Sequence, residues 1–178
     1  MKASSLNTSR LSLRHFRLDD AQAMFDNWAS DPEVTKFLTW ETHPNVEMTR
    51  AIIKDWVEKY KEPNTYRYAI TLKDSGELIG GIDVVKMVDM VPEIGYCLAK
   101  KHWNKGYITE ACKALINRLF EDGFKTITIR AESCNIGSNR VIEKCGFKFV
   151  KQVTKEAENR TLTINCYKLD NPFIKSHL

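Results

Sequence analysis

The 178-residue sequence lacks most of the short motifs that identify a nucleotide or metal site. It contains neither a G-x-x-x-x-G-K-[ST] phosphate loop nor a G-x-G-x-x-G dinucleotide fingerprint, which excludes those two ways of holding a nucleotide. It has no C-x-x-C, and no His/Cys pair has ligand spacing, so we expect no metal site. No apolar run approaches the length of a membrane span, and the N-terminal arginines (Arg10, Arg14 and Arg17) argue against a signal peptide. We therefore expect a cytoplasmic protein without a membrane partner.

Charge and cysteine content further restrict the class of protein to which this sequence can belong. The net charge is +4, from 27 basic and 23 acidic residues, without a basic run or a nucleic-acid-binding motif. We expect no direct nucleic-acid partner. The 5 cysteines are odd in number, which favours reduced, buried thiols over a disulfide framework. The length predicts one domain, residues 1–178.

Alternating and helical apolar spacings predict the order β-α-α-β-β-β-α-β-α-β-β. The predicted strands are 8–17, 66–72, 78–88, 92–99, 126–131, 147–153 and 161–168, the last two joined across 154–160. The predicted helices are 21–30, 46–61, 108–122 and 138–145. Asp31-Pro32 is predicted to end the first helix. The loop 31–44 that follows is rich in large side chains, so it covers either the core or the substrate.

The junction between the fourth predicted strand and the helix after it is a candidate anion site. The first turn of a helix carries unpaired N–H groups and a partial positive charge, and Gly106 allows a ligand to approach the backbone. Lys105 and His102 add positive charge. An ordinary strand–turn–helix with one glycine in its turn is the alternative.

Three ordered blocks resemble the acetyl-CoA-binding core of the GNAT N-acetyltransferases, especially the ribosomal-protein N-terminal (RimJ/RimL-like) branch. That branch shows E-x-G-Y-x-L, W-G-K-G-Y-A-T-E-A and N-x-x-S-x-x-V-x-E-K-x-G-F, and this chain matches at 93–98, 103–111 and 135–147. Asn104 replaces a frequent glycine, and it adopts a left-handed backbone more easily than most residues. Ile108 replaces a small residue. The resemblance implies an α/β mixed sheet whose fourth and fifth strands splay apart.

The same resemblance implies acetyl-CoA as the acetyl donor, released as CoA. The backbone of Cys97, Leu98 and Ala99 would pair with the pantetheine arm. The backbone of the following turn would hold the pyrophosphate, through Asn104, Lys105, Gly106, Tyr107, Ile108 and Thr109. Asn135 matches a family asparagine that contacts the cofactor, and a helix N-cap is its alternative role.

Acetyl transfer requires a neutral amine, donors for the oxyanion and a proton for the leaving thiolate. The resemblance suggests a backbone N–H near Leu98 as the oxyanion donor. Many family members carry a tyrosine acid where this chain has Ile142, so Ser138 becomes the candidate proton donor; a water or a helix-capping role are the alternatives. Glu93 is the candidate general base, acting through water, unless it is simply a solvated strand-end carboxylate.

The acceptor is predicted from proton affinity. An α-amine is about one-seventh neutral at pH 7, whereas a lysine is neutral about once in 2,500 molecules. A weakly equipped site therefore favours an α-amine, such as a protein N-terminus. A small amine, amino acid or antibiotic is one alternative, and a polycation would need carboxylates such as Glu33, Glu41, Asp83 and Glu93. The other alternative to an acetyltransferase acting on an α-amine is a CoA-binding regulatory module without turnover. A homodimer is left open.

Overall fold

The computed structural model describes residues 5–157 and 160–173. The helices of this part of the chain are α1 (Asp20–Met24, continued by a π-helical turn over Phe25–Ala29), α2 (Pro32–Thr35), α3 (Val46–Lys59), α4 (Tyr107–Glu121) and α5 (Ile136–Lys144). Its strands are β1 (Leu6–Asn7), β2 (Leu11–Arg14), β3 (Arg67–Leu72), β4 (Leu78–Val88), β5 (Val91–Leu98), β6 (Thr126–Glu132), β7 (Lys148–Ala157) and β8 (Arg160–Asp170). A short 3-10 turn spans Lys100–His102.

The described residues fall into two compact units. The first comprises the chain up to Asp83 together with Tyr96–Ala114, and the second comprises Val84–Gly95 together with the chain from Leu115 onward. Strands β4 and β5 and helix α4 each continue from one unit into the other. That residues 1–178 form a single domain stays a prediction.

The first unit is an antiparallel sheet with helices on it. Strand β2 pairs with β1 and with β3, and β3 pairs with β4. The register between β3 and β4 shifts at Ile70/Thr71, opposite Gly80, as a glycine inside a strand predicts. Helix α1 packs on α3, and buried Met24, Trp28 and Ile53 belong to the core cluster beneath them.

The predicted first strand, 8–17, is wrong at both ends, because the strand here is β2, Leu11–Arg14, and residues 8–10 and 15–17 lie outside it. Residues 8–10 form a turn between β1 and β2, closed by the bond from the Thr8 N–H to the Leu11 carbonyl, 2.9 Å. The side chains of this turn bond to Glu110, a residue about one hundred positions away, so no local pattern reveals the break. Leu11 and Leu13 do alternate as predicted, and both are fully buried.

The predicted loop 31–44 contains a short helix. Asp31 does not only end the preceding helix: its side chain accepts the Glu33 N–H at 2.9 Å and caps α2, whose first residue is Pro32. Proline is favoured at this first position because its missing N–H would have no partner there. Val34 and His43 are buried, which agrees with a segment that covers the core.

The second unit contains the only parallel strand pair among the described residues. Strand β5 pairs with β6 at Glu93–Thr128 and Ile94–Ile129. This short ladder agrees with the predicted splay of these strands. Strand β8 then pairs antiparallel with both β6 and β7.

Boundaries in the second unit differ from the prediction by a few residues. Helix α5 begins at Ile136 rather than Ser138, because Asn135 caps it. Strands β7 and β8 extend into the predicted connection 154–160, where Ala157 pairs with Arg160, and residues 158–159 lie outside the described part. The predicted mixed α/β class is confirmed. No helix of the described residues has the length and apolarity needed to cross a membrane.

Candidate active site

The end of β5 is held close to β4 in the first unit. The Ala99 N–H donates to the Ile79 carbonyl at 2.8 Å, and the Ala99 carbonyl accepts the His102 N–H at 2.9 Å. Because backbone groups alternate along an antiparallel strand, Leu98 directs its own N–H and carbonyl away from β4. The Leu98 carbonyl accepts the Trp103 indole N–H at 2.8 Å. Of the backbone predicted to meet pantetheine, the Leu98 N–H is thus the group best placed to donate.

Cys97 is a structural thiol. Burial raises the pKa of Cys97 to about 12, against a smaller lowering by a hydrogen bond with the Gly81 backbone. A thiol with such a pKa stays protonated and is a poor nucleophile at neutral pH. None of the five cysteines forms a disulfide bond.

The predicted pyrophosphate turn contains two left-handed residues. Asn104 has φ +60° and Gly106 has φ +78°. Asn104 therefore adopts the conformation predicted from its residue type. The Gly106 carbonyl accepts the Glu110 N–H at 3.1 Å, so Gly106 precedes the first turn of α4, whose N–H groups have no acceptor within the helix. Lys105 is exposed and Ile108 is buried.

Positive charge next to this turn is partly balanced. Glu77 forms an ion pair with Lys101, and its Oε1 lies within hydrogen-bonding distance of His102 Nε2, at 3.2 Å. The hydrogen bond from Lys101 lowers the pKa of Glu77 first, with a further lowering by His102. Lys100 and Lys105 are exposed. The turn thus keeps a net positive surrounding that suits an anion.

Glu110, in the first turn of α4, matches the glutamate of the second family-like block, but the sequence indicated no role for it. Its Oε1 accepts from Thr8 Oγ1 at 2.6 Å, Ser9 Oγ at 3.1 Å and the Arg10 N–H at 2.8 Å. Its Oε2 accepts from Arg10 Nε at 2.7 Å. Burial opposes the charged form, but these hydrogen bonds outweigh it and lower the pKa of Glu110 to about 2. The carboxylate therefore stays charged throughout the physiological range.

Asp83 and Arg67 form a second charged pair in the first unit. Arg67 Nη2 lies 2.7 Å from Asp83 Oδ2, and the guanidinium carbon lies 4.7 Å from the centroid of the Trp56 ring, over its face. Burial raises the pKa of Asp83 despite the opposing effect of Arg67. The other first-unit carboxylates predicted for an acceptor pocket differ: Glu33 is exposed and pairs with Lys36, and Glu41 is exposed.

A surface depression of about 430 Å³ also lies in the first unit. It is lined by Asp26, Asn27, Asp31, Lys100 and Lys101. Asp31 belongs to the 31–44 segment, but none of the four carboxylates predicted for an acceptor pocket lines this depression. A contact between that segment and a substrate stays a prediction.

Glu93, the predicted base, lies in the second unit on β5. Its Oε1 accepts the Arg130 Nε–H at 2.9 Å, and Arg130 Nη2 lies 2.8 Å from the same oxygen in an ion pair. The Glu93 carboxylate is mostly shielded, with 17% of its side chain exposed, which does not fit a freely solvated strand end. One carboxylate oxygen is thus committed to Arg130, and Oε2 is the one left for a water.

Asn135 and Ser138 lie at the start of α5 in the second unit. Asn135 Oδ1 accepts the Ser138 N–H at 3.1 Å, so the N-cap role considered for Asn135 is confirmed. Its predicted contact with the cofactor stays a prediction. Ser138 is half-buried. Ile142, at the position of the missing tyrosine, is fully buried and can supply no proton.

A polar network beside Ser138 was not predicted. Asn139 Oδ1 accepts the Tyr167 hydroxyl at 2.6 Å and Asn165 Nδ2 at 3.0 Å. Asn139 Nδ2 in turn donates to the carbonyls of Glu132 and Asn135, at 2.9 and 2.7 Å. This network fixes the first turn of α5 to β6 and β8. Two of its partners, Tyr167 and Asn165, lie on β8, 28 and 26 positions away, so no local pattern indicated the network.

Comparisons with known proteins agree with the motifs. A family model described as an acetyltransferase (GNAT) domain matches residues 10–148. An uncharacterized N-acetyltransferase of Bacillus licheniformis, p20, is 32% identical over 147 residues, which cover 81% of this chain and 82% of that protein.

Solved structures share the fold at lower identity. RimL, a ribosomal α-N-protein acetyltransferase in complex with coenzyme A, has a TM-score of 0.84 and 16% identity, covering 94% of this chain and 98% of that one. The microcin self-immunity acetyltransferase MccE, in complex with acetyl-CoA and AMP, has a TM-score of 0.81 and 19% identity, covering 92% and 93%. The predicted GNAT fold is confirmed.

Proposed function

The chain belongs to the GNAT acetyltransferase family, and we propose that it transfers the acetyl group of acetyl-CoA to an α-amine, with a protein N-terminus as the acceptor. The family uses acetyl-CoA for transfer to amines. The names of two structural neighbours support the finer assignment. MccE was solved with acetyl-CoA, and RimL is a ribosomal α-N-protein acetyltransferase.

The state of Glu93 carries the choice of acceptor. Because Arg130 occupies Oε1 with a hydrogen bond and an ion pair, Glu93 has one oxygen left to receive a proton through water. Such a base suits an amine that is already partly neutral. At pH 7 this holds for about one α-amine in seven and for about one lysine in 2,500. A lysine acceptor would ask far more of this carboxylate.

The proposed chemistry assigns each group one task. The neutral amine attacks the thioester carbonyl and gives up a proton through water to Glu93 Oε2. The Leu98 N–H donates to the oxyanion that forms. The carbon–sulfur bond then breaks, and Ser138 donates a proton to the thiolate, so that CoA leaves as a thiol. The 104–109 turn holds the pyrophosphate, and Asn135 contacts the cofactor near the pantetheine.

Thiol release from acetyl-CoA with two matched peptides tests the acceptor. One peptide has a free α-amine and blocked lysines; the other has the same sequence with an acetylated N-terminus and free lysines. We expect turnover at pH 7 to be at least tenfold faster with the first, because more of its amine is neutral. Mass spectrometry of the product confirms the acetylated nitrogen.

Spermidine, free amino acids and an aminoglycoside complete the panel. Turnover with one of these and neither peptide would replace the protein acceptor by a small amine. Equal rates with both peptides would remove the argument from Glu93. Tight binding of acetyl-CoA without turnover on any acceptor, including a folded ribosomal protein, would favour a regulatory module.

A further inference from the structure

The turn of residues 8–10 reaches the predicted pyrophosphate turn through one side chain. Arg10 Nη1 donates to the Lys105 carbonyl at 2.9 Å, and the Arg10 guanidinium carbon lies 4.5 Å over the Tyr107 ring. Arg10 Nη2 lies 3.5 Å from the point that a Cβ on Gly106 would occupy. One guanidinium therefore contacts Lys105 and Tyr107 and lies beside Gly106 between them, all within the first unit.

The bond to Lys105 fixes the direction of the next N–H group. A trans peptide is planar, and its carbonyl and N–H point in opposite directions. Because the Lys105 carbonyl points at Arg10, the Gly106 N–H of the same peptide points away from Arg10. Asn104 and Gly106, on either side of Lys105, both have a left-handed backbone, and glycine adopts positive and negative φ about equally readily. Glycine alone therefore does not select one orientation of this peptide, and the hydrogen bond from Arg10 restricts it.

Glu110 fixes the guanidinium in turn. It binds Arg10 through both the backbone N–H and Nε, and Thr8 and Ser9 donate to the same carboxylate. Arg10 thus cannot rotate away without breaking a charge-assisted bond to Glu110. Glu110 also donates its own N–H to the Gly106 carbonyl. The same residue at the start of α4 therefore binds both Arg10 and the turn that Arg10 contacts.

We propose that Arg10 is a positioning residue for the cofactor's pyrophosphate: it holds the Lys105–Gly106 peptide so that the Gly106 N–H is presented to the phosphate oxygens. The inference rests on the proposed function, since it assumes a pyrophosphate at this turn. It adds a residue from outside the three family-like sequence blocks. Arg10 acts through the turn and does not take part in the transfer itself.

Two ligands that differ in the pyrophosphate test the proposal. The variant Arg10→Gln keeps a polar side chain but loses the charge and the fork of donors. We expect its Kd for CoA, measured by calorimetry, to rise about tenfold. The KM for acetyl-CoA should rise equally while kcat changes less than twofold. With S-acetylpantetheine, which lacks the pyrophosphate, kcat/KM should equal that of the unchanged protein.

Controls separate positioning from simple stabilisation. Arg50→Gln removes an equally exposed arginine from α3 and should leave the Kd for CoA unchanged. Arg10→Lys keeps the charge without the planar fork of donors. Its Kd for CoA should therefore lie between those of the unchanged protein and Arg10→Gln. Should Arg10→Gln fail to fold, Arg10→Lys carries the same comparison of CoA with S-acetylpantetheine.

The outcomes are distinguishable. An unchanged affinity for CoA, or an equal loss with both donors, would overturn the role of Arg10 and leave the proposed function intact. If the unchanged protein itself bound no CoA, the proposed function would fail, and the role of Arg10 with it.

Discussion

Gly80 on β4 lies directly against the backbone of Cys97 on β5. A Cβ built on Gly80 would come within 2.4 Å of the Cys97 carbonyl oxygen and 3.1 Å of the Leu98 Cα. Both neighbours are backbone atoms, which cannot move aside as a flexible side chain can. The strand that offers the Leu98 N–H is therefore held at a distance that only glycine permits.

We expect Gly80→Ala to lower the free energy of unfolding by about 2–4 kcal/mol, because β5 must shift to admit the methyl group. Denaturant titration measures the loss. Gly137→Ala is the matched control, since its added Cβ meets only Asn135 Oδ1, at 3.9 Å, and alanine is the better helix former by about 1 kcal/mol. Equal losses in both variants would contradict the assignment of strain to Gly80.

Gly106 is expected to matter through its conformation and its open surface. A Cβ there would meet only Arg10 Nη2, at ordinary contact distance, but φ +78° disfavours most side chains. Gly106→Trp should abolish acetyl-CoA binding in calorimetry, because the indole fills the approach to the turn. Gly106→Asn should fold and lose less affinity for acetyl-CoA than Gly106→Trp, since Asn104 already adopts this left-handed backbone region. Unchanged affinity in Gly106→Trp would move the pyrophosphate elsewhere.

Ser138→Ala tests the proton donor. The cap bond from the Ser138 N–H to Asn135 uses the backbone, so α5 should still begin in the same place. We expect kcat to fall about 10–100-fold with an unchanged Kd for CoA. Stopped-flow thiol release measures the rate, and Ser133→Ala, an exposed serine nearby, should be neutral. A rate within twofold of the unchanged protein would leave the proton to water.

Glu110 is expected to affect how the free energy of unfolding changes at acidic pH. Its pKa of about 2 in the fold lies below its ordinary value of 4.5, so its stabilisation is present above about pH 4.5 and is lost as pH falls toward 2. Glu110→Gln should therefore lower the free energy of unfolding at pH 7 by about 1–2 kcal/mol. It should also make the free energy of unfolding depend less on pH below pH 4.5. We set the effect below the full shift because Arg10 is 46% exposed.

Urea titrations from pH 2.5 to pH 7 make this measurement. Glu121→Gln, an exposed residue at the end of α4, serves as the control and should follow the unchanged protein. A loss in Glu110→Gln that stayed constant over this pH range would mean that packing, rather than charge, stabilises the contact.

Arg67→Leu should make stability depend on pH in the opposite sense. Burial already raises the pKa of Asp83 above its ordinary 3.8, and loss of Arg67 raises it further. Because the folded state then binds the proton more tightly, stability is kept below about pH 4 and falls as pH rises to the folded-state pKa. At pH 7 we expect a loss of about 1–3 kcal/mol, less than for a fully buried pair, since the two side chains are 20% and 19% exposed.

The double variant Arg67→Leu/Asp83→Asn should recover most of that loss, because no uncompensated carboxylate remains. Thermal unfolding at pH 4 and pH 7 distinguishes the cases. A single variant that was equally unstable at both pH values would indicate lost packing of Arg67 on Trp56 instead.

Local patterns predicted the elements whose partners lie nearby. Strand β4 has its predicted bounds, and β5 and α4 differ by one residue at each end, because alternation, helical spacing and Gly123 mark them. The left-handed Asn104 also follows from its residue type. Asp31-Pro32 follows the end of the first helix, as predicted, but the same residues also begin α2, because Asp-Pro-Glu fits the start of a helix as well as the end of one.

The parts that could not be predicted depend on contacts distant in sequence. Nothing in Thr8-Ser9-Arg10 indicates a turn unless Glu110 is known to face it. Likewise, Asn139 acquires its role from Tyr167 and Asn165 on β8. The family-like blocks located the turn and α5, and they include Glu110 and Asn139. The partners of these two residues, Thr8 and Arg10 in one case and Asn165 and Tyr167 in the other, lie outside the blocks.

The Arg10–Lys105 bond also bears on the order in which the protein folds. It joins residues 95 positions apart, and such contacts form late because a long loop must close first. The residue that orients the cofactor turn leaves the ribosome well before the turn itself. On a refolding time course, helical signal should therefore return before affinity for CoA does. Coenzyme binding would then report completed folding, so that a newly made chain becomes active only after its distant contacts have formed.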